Sequence, residues 1–230
     1  MAKKLALFDV CETLISFQTA DAYVDYVREH IDDPTAAFRM KRWEFFLRFS
    51  RAVGIIKFTY KFMPNRQIEK RWKLYQLKGI SELYLLKMGQ NYVDDVLRYS
   101  EIKPVVDRMQ QYVLDGYDVL MVSAGYDIYL QFLGGLYGVP VIATELEFVG
   151  GTCTGRMAGK DCYGEEKVSR IRKYLFTVDG DAVYEDDCVS YSDSISDLPM
   201  MLQCKRAVTV IKKGRKNWGE KYGFECIWVD

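Results

Sequence analysis

Leu5-Ala6-Leu7-Phe8-Asp9-Val10-Cys11-Glu12-Thr13 is the stretch that decides the fold. A short apolar run ends on a carboxylate and passes at once into a small polar turn. A strand of this kind delivers its terminal carboxylate to the carboxyl edge of a sheet, where open α/β sheets hold their ligands. Many strands end in Asp, so the pattern gains its force from three segments further on. These are Val119-Leu120-Met121-Val122-Ser123, then Lys167 opening a charged helical stretch, then Val189-Ser190-Tyr191-Ser192-Asp193-Ser194-Ile195-Ser196-Asp197.

Working outward, strands are expected at Leu5–Phe8, Val119–Val122, Val141–Ala143, Cys188–Tyr191 and Ala207–Val210. All are short and apolar without alternation, as parallel strands buried on both faces should be. Helical patterns at Val105–Leu114 and Lys167–Tyr174 lie between them. Strands alternating with helices predict an α/β fold, a doubly wound parallel sheet. Glu145–Gly155 reads as a hairpin turning on Gly150-Gly151, and Glu225–Val229 as an added edge strand. Residues 16–95 differ in texture: they read as successive helices with few glycines, broken at Pro34 and Pro64.

Composition narrows the function classes. The 230 residues suffice for one α/β core plus a subdomain. Lys and Arg number 32 and Asp and Glu 32, so no global charge argues for nucleic acid as a partner. No stretch approaches the ~20 apolar residues of a membrane span, and Met1-Ala2-Lys3-Lys4 leads into too short an apolar segment for a signal peptide. The six cysteines (Cys11, Cys153, Cys162, Cys188, Cys204, Cys226) show no C-x-x-C spacing, and there is one His. Zinc and a redox pair are therefore not expected; reduced thiols in a cytoplasmic protein are.

Asp9, Thr13, Ser123, Lys167, Asp193 and Asp197 stand in an order that resembles the haloacid dehalogenase superfamily, in its phosphoserine-phosphatase-like branch. That family carries an apolar strand followed by Asp-x-Asp-x-Thr, a strand ending in Ser or Thr, a Lys, and Gly/Ser-Asp-x-x-x-Asp. The surrounding text matches too, from Gly155 through Gly164-Glu165-Glu166-Lys167-Val168 and from Asp193 through Asp197-Leu198-Pro199-Met200, and the likeness covers nearly the whole chain. The resemblance implies a core of residues 1–15 and 96–230 with a helical cap, residues 16–95, inserted after the first strand and closing over the sheet edge. It implies a Mg²⁺-dependent phosphatase that hydrolyses a small phosphorylated substrate through an aspartyl-phosphate on Asp9.

The same resemblance assigns the residues. Mg²⁺ is held by Asp9, Asp193 and the backbone carbonyl of Cys11, an oxygen set suited to a hard cation. Thr13, Ser123, Ala124 and Lys167 hold the phosphoryl group, with Ala124-Gly125 small enough for backbone amides to approach an anion. Lys167 also keeps Asp9 ionised, and its Gly-Glu-Glu-Lys context favours it over Lys160. Asp197 supports the metal and Lys167 from behind, or alternatively caps a helix before Leu198-Pro199.

Cys11 departs from the pattern, standing where the family has its second Asp, the group that protonates the leaving oxygen and then activates water. Such a group contributes ~10²–10⁴-fold. A thiol with an ordinary pKa near ~8.5 is protonated at neutral pH but is a weak donor. Three readings stay open: a slow phosphatase, an enzyme for good leaving groups, or a catalytically impaired phospholigand-binding protein. Gln18 is a further departure, since phosphoserine-specific members have a Glu there for the substrate ammonium. Finally, Phe38, Trp43, Phe45, Phe46, Phe49, Phe58, Tyr60 and Phe62 crowd a segment in which Arg42, Arg48, Arg51, Lys57, Lys61 and Arg71 outnumber Glu44 and Glu69. This is either an amphipathic helix pair with a solvated basic face or a surface for anionic lipid headgroups or a polyanionic substrate.

Overall fold

The structure, a computed structural model, describes residues 4–54, 66–179 and 188–230. Six strands form one parallel sheet in the order β3-β2-β1-β6-β7-β8: β1 (Leu5–Phe8), β2 (Asp118–Tyr126), β3 (Val141–Thr144), β6 (Cys188–Ser192), β7 (Arg206–Lys212) and β8 (Glu225–Val229). The chain winds outward from β1 to β3 on one side and from β6 to β8 on the other. The carboxyl end of β1 therefore sits at the point where strand order reverses, which opens a crevice there.

Each strand of the sheet centre is buried on both faces, and alternate residues feed two apolar clusters. Ala6 and Phe8 pack with Val105, Val106 and Met109 of α5 (Lys103–Leu114). Leu5 and Leu7 pack with Val168, Ile171 and Leu175 of α7 (Glu165–Asp179). Both helices run longer than the apolar periodicity marks: α5 begins two residues earlier, at Lys103-Pro104, and α7 adds Glu165-Glu166 at its start and continues past Tyr174 to Asp179.

The segment between β1 and α5 is helical, with α1 (Thr19–His30), α2 (Pro34–Ala52), α3 (Arg66–Leu74) and α4 (Glu82–Asp95). Asp33 caps α2 by accepting from Thr35 N at 2.9 Å, with Pro34 in the first turn. Ser81 caps α4, accepting from Tyr84 N at 3.3 Å. Phe58, Tyr60, Phe62, Lys57, Lys61 and Pro64 lie outside the described residues.

These helices are fastened to the sheet layer at two places. The hairpin of β4 (Leu146–Val149) and β5 (Thr152–Met157) turns on Gly150 and Gly151, whose φ of 57° and 71° suit a turn with two left-handed positions. Its strand β5 pairs with the chain between α3 and α4, Gly79 N donating to Cys153 O at 2.8 Å and Cys153 N to Ile80 O at 2.9 Å. At the second place α4 lies against α6 (Asp127–Tyr137), close enough at Gly89 that a Cβ there would stand 2.5 Å from Ile128 O. The aromatic rings of Tyr23, Tyr92 and Tyr129 fill the space between α1, α4 and α6.

One expectation is overturned. Cys188 and Cys204 form a disulfide. The short helix α8 (Leu198–Met201) folds the chain back after β6 and brings the two Cα atoms to 4.7 Å, a proximity that spacing in sequence does not announce. Cys11, Cys153, Cys162 and Cys226 are free.

Candidate active site

Asp9 follows β1, its backbone N–H still bonded to Tyr191 O at 3.0 Å, which holds it at the sheet's carboxyl edge. The chain then turns tightly, Val10 O accepting from the backbone N–H groups of Thr13, Leu14 and Ile15. The turn puts Glu12 at φ 58°, a left-handed conformation costly for a residue with a Cβ. Glu12 is pinned there by Gln18 Nε2 at 2.6 Å and Lys212 Nζ at 3.1 Å. These partners outweigh its burial and hold its carboxyl below the usual range, and they turn Glu12 away from Asp9.

Both oxygens of Asp9 are engaged. Oδ1 accepts from Lys167 Nζ at 2.7 Å and Oδ2 from Thr13 Oγ1 at 3.0 Å. Lys167 reaches the site from the first turn of α7 and also bonds Asp197 Oδ2 at 2.7 Å; it is 1% exposed. Asp197 closes a 3₁₀ turn after β6, and its second partner is Ser192 Oγ at 2.7 Å. It makes no capping bond to α8, so of the two roles expected for it the capping one is excluded by geometry. Asp193 joins through Thr13, whose Oγ1 accepts from Asp193 N at 3.0 Å and lies 3.4 Å from Asp193 Oδ1. Lys160 is elsewhere, with its exposed ammonium near Glu166.

Ser123 is buried in β2, two residues past the last pair with β1, in a strand that runs on to Tyr126 with a shifted register against β3. Its Oγ accepts from Gly125 N at 2.9 Å and lies 3.8 Å from Cys11 Sγ. Cys11 Sγ is also 3.1 Å from Thr19 Oγ1, which continues to Tyr129 OH at 2.6 Å. Burial, then the nearby Asp9 charge, push the Cys11 thiol up, so it stays protonated at neutral pH.

The electrostatics of the floor are unbalanced. Burial, reinforced by Asp197, pushes Asp9 up to about 6 despite the pull of Lys167. Burial and the charges of Asp9, Glu12 and Asp197 push Asp193 up to about 8. Burial works against the Lys167 ammonium, yet Asp197 and Asp9 outweigh it and raise its pKa. Lys167 thus serves two carboxylates, while among the described residues no cation pairs with Asp193. Among those residues no three His, Cys, Asp or Glu side chains form a metal cage. Asp9, buried, and Asp193, half-buried, nevertheless offer carboxylate oxygens whose combined charge the one ammonium does not balance, which suits a hard dication that keeps part of its water.

Above this floor lies a cavity of ≈ 560 Å³, walled by Gln18 and Asp21 of the α1 end, Lys70 of α3, Gly125 and Asp161. Lys70 was not singled out in the sequence, where it is one cation in a basic segment. Its Nζ donates to Asp161 Oδ1 at 2.5 Å and to Ala124 O, and Asp161 is held in turn by Thr144 Oγ1 at 2.6 Å. The helical segment thereby touches the end of β2 just past Ser123 directly. Thr19 and Tyr129 were missed for the same reason: nothing local marks a hydroxyl whose partner lies 110 positions away.

The model of the haloacid dehalogenase-like hydrolases matches residues 6–202. A probable phosphatase of Mycobacterium tuberculosis is 38% identical over 108 residues, which cover 46% of this chain and 36% of that protein. The match thus spans little more than a third of that relative's length. Among solved structures, a protein of unknown function from Bordetella pertussis Tohama I superposes with a TM-score of 0.77 at 24% identity, covering 99% of both chains. A phosphoserine phosphatase in its apo form superposes with a TM-score of 0.60 at 19% identity, covering 98% of this chain and 93% of that one. At these identities the two structures speak for the fold.

Proposed function

The chain belongs to the haloacid dehalogenase-like hydrolases, and from that premise we propose that it is a phosphatase of small phosphomonoesters working through an aspartyl-phosphate on Asp9. The observation that carries the reading is the Lys167–Asp9 contact at 2.7 Å on the floor of a cavity, with Thr13 on the other carboxylate oxygen. Residues 16–95 are read as the cap over that cavity.

In the first step Asp9 attacks phosphorus and the P–O bond to the leaving group breaks; the leaving oxygen departs as an anion where its group stabilises the charge and otherwise takes a proton from water. Lys167 holds Asp9 ionised and places positive charge beside the phosphoryl oxygens, while Ser123, Thr13 and the backbone at Ala124 supply hydrogen bonds. Asp9, Asp193 and the backbone carbonyl of Cys11 would hold Mg²⁺. When bound, this cation neutralises phosphoryl charge. In the second step water attacks the phosphorus of phospho-Asp9 and releases phosphate, regenerating the carboxylate.

Cys11 sets the range of substrates. Its protonated thiol, already engaged with Thr19, is a weak proton donor and has no base to offer the second step. Alkyl esters, whose leaving oxygen needs a proton, are penalised most; aryl or acyl phosphates leave as stabilised anions. At the position where phosphoserine-specific members carry Glu, Gln18 is neutral and its amide is spent on Glu12, so this side chain offers a substrate ammonium no ion pair. Turnover of an aryl phosphate with Mg²⁺ tests the reading. Thermal stabilisation by phosphate and Mg²⁺ without turnover would replace it with a binding protein that has lost its chemistry.

A further inference from the structure

Helix α2 turns aromatic side chains outward. Phe38, Phe45 and Phe49 are 68%, 72% and 54% exposed, and their spacing places them on one face. Met40 and Leu47, on the opposite face, are buried in the protein. The helix is therefore apolar on two sides, of which packing explains only the inner one. Single exposed apolar residues need no explanation, but a row of phenylalanines does.

The charges beside that row have one sign. Lys41, Arg42 and Arg48 are exposed, while Glu44, the single acid of α2, is buried and consumed by Lys73, Arg28 and Arg48. On the adjoining side of the helix a second cavity of ≈ 580 Å³ opens between α2 and the turn that follows α3. It is lined by Arg39, Arg42, Trp43, Phe46, Tyr75 and Lys78 among others, and it shares no lining residue with the cavity over Asp9. Arg39 and Arg42 have no ion-pair partner among the described residues, and Arg39 Nη2 is buried without an acceptor. The Trp43 and Tyr75 rings stand 4.9 Å apart, and the Lys78 ammonium lies 5.3 Å from the Tyr75 ring centre.

We propose that this face of α2 docks the protein on an anionic phospholipid bilayer, the phenylalanines entering the acyl boundary and the second cavity receiving a lipid phosphate between Arg39, Arg42 and Lys78. An outward aromatic row flanked by cations is what an interfacial helix presents. Tyr and Trp suit the headgroup level because one end is apolar and the other polar. A row of this kind beside unpaired guanidinium groups has its complement in a surface that is both apolar and negative, which a bilayer of anionic lipids supplies. The inference does not depend on the reaction at Asp9.

The test is co-sedimentation of the full chain with phosphatidylcholine vesicles, with and without phosphatidylglycerol, over a range of salt. Binding is expected only to the anionic vesicles and should weaken as salt shortens the reach of the charges. Arg39→Gln with Arg42→Gln should lower the partition coefficient by roughly 30-fold, and Phe45→Ser with Phe49→Ser should lower it without changing aryl-phosphate turnover. Absence of pelleting at low ionic strength overturns the proposal, as does equal pelleting with neutral vesicles. Sedimentation velocity without lipid supplies the other contradicting result. A dimer abolished by the Phe45→Ser and Phe49→Ser pair would assign the face to a second copy of this chain.

Discussion

Cys11 Sγ lies 3.1 Å from Thr19 Oγ1, so the side chain that we read as standing in the place of a second aspartate is tied to the first turn of α1. The thiol is also within 3.8 Å of Ser123 Oγ, which is fully buried and accepts from Gly125 N. Two hydroxyls thus surround the Cys11 side chain, and both can donate to a carboxylate placed there.

Cys11→Asp should therefore be accommodated, and it should raise turnover of alkyl phosphates by up to the ~10²–10⁴-fold of a positioned acid/base group. Aryl phosphates should gain less, unless hydrolysis of phospho-Asp9 limits both substrates. Steady-state rates on both classes, with a burst measurement to separate the steps, decide this. A folded Cys11→Asp protein that loses activity on both would mean that Cys11 is tuned for a different reaction.

The floor carboxylates give a pH dependence with a definite sign. Asp9 and Asp193 have pKa values raised to about 6 and about 8 from an ordinary 3.8, so the folded protein binds their protons more tightly than the unfolded chain. Their contribution to stability is full below about 4 and is lost as pH rises toward 8. Thermal unfolding of chelated protein should show this fall, and Asp193→Asn should flatten it in the upper half of that range. Mg²⁺ should restore stability at pH 8. An Asp193→Asn protein with an unchanged slope would contradict the assignment.

Gly89→Ala tests how the helical segment is seated. A Cβ there meets Ile128 O, a backbone atom that cannot swing aside, so α4 must move off α6. Overpacking of this kind costs about 1–3 kcal/mol. Urea unfolding should shift by that amount; wild-type stability would show that the two helices separate freely.

Much of this was legible in the sequence because it is local. Leu5–Phe8, Val119–Val122 and Ala207–Val210 announce themselves as short, mostly apolar runs, and Gly150-Gly151 announces its turn. Asp9, Thr13, Lys167, Asp193 and Asp197, singled out by the order and surroundings of their motifs, are brought into one hydrogen-bonded group although Asp9 and Lys167 are 158 positions apart. What escaped was whatever depends on how separate elements dock. Lys70 meets Asp161 only because α3 leans over the sheet edge, and Thr19 meets Tyr129 only because α1 lies on α6. The Cys188–Cys204 bond depends on one short helix reversing the chain. The outward phenylalanines of α2 were visible as residues but not as a face, since periodicity does not say which side packs.

The most direct test of phospho-Asp9 is acid quenching of the protein during turnover of an aryl phosphate with Mg²⁺, followed by peptide mapping. Because Cys11 offers no base for the second step, the wild type should carry a trapped phosphoryl group on the peptide containing Asp9. Asp9→Asn should carry none and lose all Mg²⁺-dependent turnover, an amide being neither nucleophile nor good metal ligand. Label on another peptide, or more than a few per cent of the wild-type rate in Asp9→Asn, would contradict the account.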